Sequence, residues 1–161
     1  VRSHPRVAEI LAEKHAIELS AFWVDEETGA QCKARADLIG RAKDWPVIVD
    51  LKSTVDASPR GFPREALRYG YHIQAAWYLD GFNAVAPLER RFLFIAVEKE
   101  PPYCSAVYEF DIGSQERGRT LARRALRDWV EGEKSGIWPG YPAGLNELNL
   151  PAWAFRGDEN A

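Results

Sequence analysis

The sequence predicts a domain of the α/β (α+β) class, a central mixed sheet flanked by helices in the order roughly αβββαββα. Three observations carry this expectation. Two runs of alternating apolar and polar residues are joined by a turn signal, a β-branched run follows at 47–51, and two later stretches place apolar residues at helical spacing.

The elements are justified in order. Pro5 to His15 can form a short helix, with His15 at its end. Ile17, Leu19, Ala21 and Trp23 then alternate with Glu18, Ser20 and Phe22, which is strand periodicity. Asp25-Glu26-Glu27-Thr28-Gly29 reads as a turn. A second alternating run puts Cys32, Ala34, Ala36 and Leu38 on one face and Lys33, Arg35 and Asp37 on the other. Gly40 to Pro46 is polar, and Val47-Ile48-Val49-Asp50-Leu51-Lys52 is a third strand, completing an antiparallel meander. Arg64 to Phe82 reads as one helix with Leu67, Tyr71, Gln74, Ala75 and Tyr78 along a stripe. Phe92 to Val97 and Ala106 to Asp111 are strands. Ser114 to Lys134 is an amphipathic helix with Leu121, Ala125 and Trp129 inward and Arg117, Arg119, Arg123, Arg124 and Arg127 outward. Residues 136–161, rich in Pro, Gly, Trp and Asn, read as a wrapping tail on a single domain spanning 1–161.

Composition bounds the function. With 161 residues, 46% of them hydrophobic, the chain can build one core. No apolar run approaches the ~18 residues of a membrane span, so a soluble, cytoplasmic protein without a membrane partner is expected. A net charge of -3 argues against a general coat of positive charge for nucleic acid, but not against a local basic groove. Cys32 and Cys104 lie far apart and read as free core thiols of a reducing compartment. The chain has no Met and starts at Val1, so a longer protein with a preceding segment is expected.

The chemistry centres on Asp50 and Lys52. Two apart on a strand, they point to one face, while Val47, Val49 and Leu51 point to a core on the other. Isolated charges on such a strand are costly unless they pair or serve a site. In the hairpin, a turn centred near Glu27 and Thr28 puts Glu18 opposite Asp37, while a slip of two residues moves its partner to Arg35. In the favoured register Glu18, Asp37, Asp50 and Lys52 share a patch. Three carboxylates and an ammonium suit phosphodiester hydrolysis, because hard oxygen ligands select magnesium or manganese. Gln74 and Tyr78, four apart on a helix, can hold the lysine, the nucleophile or a DNA phosphate. Asp-x-Lys alone is a weak signal, since most instances are solvated edges or surface ion pairs. The set of Asp, Asp-x-Lys and Gln-x-x-x-Tyr is much more specific.

At these residues the chain resembles the PD-(D/E)XK nuclease superfamily, in its RecB-like branch, and more narrowly the RecE-type exonuclease domain (exodeoxyribonuclease VIII) of phages and prophages. The matching stretches are 32–37, 49–54, 69–78, 97–99 with Pro102-Tyr103, and the tail from Trp138 to Tyr141 and Leu150 to Trp153. The resemblance implies a restriction-endonuclease-like core. It implies metal ligation by Asp37, Asp50 and the main-chain carbonyl of Leu51, with Glu18 as the additional acid. Lys52 would be the catalytic lysine, and Gln74 and Tyr78 would support it and contact DNA. It further implies a Mg2+-dependent (or Mn2+-dependent) 5′–3′ exonuclease on double-stranded DNA ends in recombination. By the same resemblance the enzyme is a ring-shaped homo-oligomer with a single-strand annealing protein as partner. Such relatives carry a further ligand on an earlier helix; His4 and His15 do not fit that pattern, so that helix is expected before Val1.

Other features are weighed against plainer roles. Arg60, Arg64 and Arg68 recur every four residues and suit either a phosphate-binding rim or a solvated helix face. The Arg-rich face of the last helix reads as a solvated face or a subunit contact. Trp45 suits packing over its loop better than wedging against a base. Glu98 is a weaker site candidate than Glu18. A non-catalytic DNA-binding or assembly module of the same fold, and an endonuclease of the same superfamily, are the competing functions.

Overall fold

The computed structural model describes residues 4–155. Its elements are α1 (Pro5–Ala12), β1 (Lys14–Val24), β2 (Gln31–Ala42), β3 (Trp45–Thr54), α2 (Phe62–Arg68), α3 (Tyr71–Val85), β4 (Arg91–Glu98), β5 (Ser105–Tyr108) and α4 (Ile112–Ser135). A short 3-10 turn, Ala152–Phe155, follows. One five-stranded sheet runs in the order β1-β2-β3-β4-β5. β1, β2 and β3 form the antiparallel meander, β3 and β4 are parallel, and β5 returns antiparallel. The sheet is therefore mixed and flanked by helices, as the sequence predicts.

Parallel pairing of β3 and β4 requires a crossover, and α2 with α3 supplies it. Both faces of the middle strands are consequently covered. Ile48, Phe92 and Phe94 pack with Phe62, Ala66, Ala75, Leu79 and Phe82 of the crossover helices. Val47, Val49, Leu93 and Ile95 pack against Val7 and Ile10 of α1. This is why 47–49 and 92–96 read as continuous apolar runs.

Several expectations are corrected. The helix expected over 64–82 is two helices, because Gly70 takes a left-handed φ of 69° between them. The break rotates α2 relative to the supposed stripe, and Leu67 is exposed while Phe62 and Ala66 face the core. Leu51 is exposed, not buried, for it lies past the end of the β2–β3 pairing at Val49. His15 is the second residue of β1, not a helix end. β5 stops at Tyr108, and α4 starts at Ile112, capped by Asp111, whose side chain accepts from Ser114 N. α4 buries Gly118, Ala122 and Gly132, whereas Ala125 and Trp129 stay exposed. Glycine is used where helices touch: a Cβ on Gly118 would lie 2.0 Å from the His72 carbonyl oxygen. Cys32 is buried as expected, but Cys104 is exposed. In the tail, Trp138 lies against Gly132, while Tyr141, Leu145 and Leu148 are exposed. Val1 and the tail residues 156–161 lie outside the described residues.

The outward arginines of α4 are not simply solvated. Arg119 binds Asp80 of α3 at 3.0 Å, and Arg123 pairs with the buried Asp25 in the β1–β2 turn. Arg127 approaches Glu27 in the same turn at 3.5 Å. The face thus ties α4 to α3 and to the hairpin. No described helix is long and apolar enough to cross a membrane.

Candidate active site

The hairpin pairs as its turn predicts, with Ile17 opposite Leu38 and Leu19 opposite Ala36. Glu18 and Asp37 lie between those pairs. Here the backbone departs from a regular strand, for Glu18 has a φ of 53°. The facing of β2 changes at the same level: Ala34 and Ala36 belong to the core under α3, but Leu38 and Ala42 belong to the core under α1. Beyond this level β2 and β3 separate, since their pairing ends at Leu38 and Val49. Asp37 and Asp50 flank the fork.

The fork exposes main-chain groups that a continuing ladder would use. Asp37 takes one: its Oδ2 accepts a hydrogen bond from Leu51 N at 2.8 Å. The N–H and C=O of one strand residue leave by the same edge, so the Leu51 carbonyl also points to the Asp37 side. The other members come from β3 and α3. Asp50 is only 4% exposed. Its Oδ1 accepts from Gln74 Nε2 at 2.5 Å. Lys52 Nζ stands 2.7 Å from Asp50 Oδ2, an ion pair on the second oxygen of the carboxylate. Burial, and then the neighbouring Asp37 charge, push the Asp50 carboxyl above its ordinary value; Lys52 and Gln74 only partly offset them.

The structure thus brings together Asp37, Asp50, Leu51, Lys52 and Gln74. It does not bring the others. Glu18, whose backbone is left-handed, pairs with Arg35 across the strands at 2.9 Å. Tyr78, one turn beyond Gln74, packs edge-on against Phe92 with ring centroids 5.8 Å apart. Glu98 accepts from Ala57 N at 3.1 Å and so pins the loop after β3. Arg60 lies in the turn before α2, with Arg64 and Arg68 on it. All three are exposed, and none forms an ion pair among the described residues. Trp45 is half exposed with the Arg91 guanidinium 6.0 Å from its ring centre. The expected patch of three carboxylates is therefore reduced to two. Among the described residues no group of three His, Cys, Asp or Glu side chains is gathered tightly enough to hold a metal ion.

Two contributors escaped the sequence reading. The Tyr71 ring lies under Lys52 Nζ, 4.6 Å from the centroid, an attractive cation–π geometry. Its spacing of three from Gln74 on one helix was the available signal. Thr54, fully buried at the end of β3, donates to Glu65 Oε2 at 2.7 Å, joining that strand end to α2.

Chemically, two carboxylates, a main-chain carbonyl and an ammonium converge where the sheet opens. The buried Asp50 carboxylate beside the second carboxylate of Asp37 fits a divalent cation with oxygen preference. With only two acids, such an ion would keep several waters.

Comparison with known proteins agrees with this frame. The model of a family described as a PDDEXK-like domain of unknown function (DUF3799) matches residues 14–148. The crystal structure of a "Putative exonuclease" from Eubacterium rectale matches with a TM-score of 0.64 at 13% identity, covering 97% of this chain and 61% of that one. The chain therefore spans about three fifths of the length of that relative, and the likeness shows a shared fold. A second structure, of SSO0001, matches with a TM-score of 0.43 at 16% identity over 71% of this chain and 54% of its own, too loosely to carry an argument. No curated protein matches the chain in sequence.

Proposed function

The chain belongs to the family of PDDEXK-like domains of unknown function (DUF3799), and from that premise we propose that it is a metal-dependent deoxyribonuclease, acting as a 5′–3′ exonuclease on ends of linear double-stranded DNA. The observation that carries the proposal is the fork between β2 and β3. There a buried Asp50 is held at 2.5 Å by Gln74 and at 2.7 Å by Lys52, and Asp37 stands across the gap.

Two neighbouring carboxylates repel each other, and the buried one also bears the cost of desolvation. A divalent cation of the Mg2+ or Mn2+ type relieves both. Asp37, Asp50 and the Leu51 carbonyl would hold it, and Glu18 would need to leave Arg35 to join them. When bound, the cation supplies Lewis-acid polarisation of the scissile phosphate. The chain's own groups do the rest. Gln74 holds the Asp50 carboxylate in one orientation. Lys52, kept near Asp50 and over Tyr71, neutralises the negative charge that grows on the phosphoryl oxygens as water attacks and the P–O bond breaks. Arg60, Arg64 and Arg68 offer exposed positive charge for the flanking phosphates. The exonuclease preference draws on the resemblance to RecE-type enzymes.

The test is a digest of matched linear and covalently closed circular duplex, with magnesium and with EDTA. Magnesium-dependent loss of the linear DNA alone is expected, and Lys52→Ala should abolish it. Nicking of the circle would replace the exonuclease reading with an endonuclease. Intact DNA in every arm would leave a non-catalytic binding module.

A further inference from the structure

A groove of about 450 Å3 runs between α3 and α4, lined by Tyr69, Ile73, Gln74, Trp77, Ala125 and Leu126 among others. Its walls are apolar except at one end, where Gln74 connects it to Asp50. Tyr69 stands at that end and is 59% exposed. Exposed as it is, its ring is not loose. It stacks on Tyr71 with centroids 5.8 Å apart and planes 21° from parallel. Tyr71 in turn stacks on the buried Phe94 at 5.6 Å and lies under Lys52. The Arg68 guanidinium lies over the Tyr69 ring, 5.5 Å from its centre. An aromatic ladder thus leads from the core, past the lysine, to a flat ring and the planar cation over it at the mouth of a groove.

We propose that Tyr69, with Arg68, is a stacking platform for an unpaired nucleobase of the substrate strand next to the scissile phosphate, and that the α3–α4 groove receives that base. Flat aromatic faces beside a cation suit nucleobases of any sequence. The groove is continuous with the phosphate-handling site through Gln74, so a base entering it stays on the strand being processed. A base inside a duplex already stacks on both faces. The platform therefore selects ends whose terminal nucleotide is frayed or overhanging. The inference rests on the nuclease reading for its substrate, but it makes a separate prediction about binding.

The experiment uses the full chain with Lys52→Ala, so that DNA stays intact, and duplexes with a terminal 5-iododeoxyuridine in either a frayed or a fully paired end. Photocrosslinking followed by peptide mass spectrometry should place the crosslink on Tyr69. Fluorescence anisotropy should show that Tyr69→Ala, added to that background, weakens binding of the frayed end about tenfold, as loss of one base stack does, and that Tyr69→Phe does not. Thermal unfolding should be unchanged in Tyr69→Phe and only slightly lowered in Tyr69→Ala, by the loss of the stack on Tyr71. A crosslink mapped away from the groove, or equal affinity of the Tyr69→Ala variant for frayed ends, overturns the proposal. A change in sedimentation mass on Tyr69→Ala with unaltered DNA affinity also overturns it, because the groove would then hold a second copy. If the wild-type chain cuts nothing while crosslink and affinity behave as expected, the nuclease reading fails and the base platform stands.

Discussion

Replacing Gly118 with alanine tests the packing that holds the site together. Gly118 lies where α4 crosses the start of α3, and a Cβ there would meet the His72 carbonyl oxygen at 2.0 Å, its carbon at 2.6 Å and Ile73 N at 3.1 Å. All three are backbone atoms, so no rotamer change relieves the clash. An ordinary carbon–oxygen contact is about 3.3 Å, so the helices must part by roughly 1 Å. Such overpacking costs about 1–3 kcal/mol, and the better helix propensity of alanine returns about 1 kcal/mol. The net expectation is a loss of up to about 2 kcal/mol, seen as a melting temperature lower by up to about 8 °C for a chain of this size. Gln74 is two residues beyond His72, and its 2.5 Å bond to Asp50 cannot survive a shift of that size unchanged. Nuclease activity should therefore fall by on the order of a hundredfold. Gly132→Ala is the control: there the added atom meets only the ring of Trp138, which is half exposed and can swing aside. Urea unfolding followed by circular dichroism measures both variants. A Gly118→Ala protein as stable as Gly132→Ala would refute the claim that the α3–α4 crossing is closed to a single methyl group.

Three further outcomes follow from the site and its supports. Asp50→Asn should abolish magnesium binding in calorimetry. It should also raise the melting temperature of the metal-free protein near neutral pH. The sign is set by the raised carboxyl of folded Asp50: its stabilising contribution is present below the unfolded value of 3.8 and is lost as pH rises through the folded value, where the buried charge forms. The gap between variant and wild type should accordingly close in acid, and a gap independent of pH would contradict the burial argument. Lys52→Ala should bind duplex DNA in anisotropy with affinity within about threefold of wild type while cutting none, since one contact among several phosphates contributes little. Burial would raise Asp25, but bonds from Thr28 and Arg123 outweigh it and hold the carboxyl low. Asp25 therefore adds stability above its unfolded value, lost as pH falls through the folded one. Arg123→Met should cost about 1–3 kcal/mol at neutral pH, and an unchanged midpoint in urea would show that Thr28 alone suffices.

The parts of the fold legible in the sequence are those where periodicity and burial agree. The runs at 47–49 and 92–96 are apolar on both faces and proved to be parallel neighbours covered on both sides. The hairpin register followed from its turn. What failed were places where one backbone angle overrides the pattern. Gly70 splits an apolar stripe that reads as one helix, and a lone glycine in such a stripe carries no mark of its φ of 69°. Glu18 sits in a flawless alternation, yet its φ is 53° and its carboxylate pairs with Arg35. α4 packs through glycine and alanine, so its heavy apolar residues, Trp129 among them, misled the choice of inner face. Asp37, Asp50, Lys52 and Gln74 converge because strand parity and helix spacing are local rules. Tyr71 shares a helix face with Gln74, but that spacing does not by itself distinguish a core ring from one that sits beneath a lysine.

The departure at Glu18 and the fork at Asp37 belong to one structural event. A continuing β2–β3 ladder would occupy the Leu51 N–H and C=O and close the gap between Asp37 and Asp50. By changing its facing at Asp37, β2 stops pairing at Leu38, and the freed N–H of Leu51 becomes the anchor for the Asp37 carboxylate. The left-handed Glu18 lies at the same level of β1, so the outer strand bends together with its neighbour. A non-glycine residue in that region costs on the order of 1 kcal/mol, and a buried carboxylate adds to it. Neither helps the sheet. Both go with a place where the sheet forks and leaves the Asp37 carboxylate and the Leu51 main chain outside any ladder, which an uninterrupted sheet cannot offer.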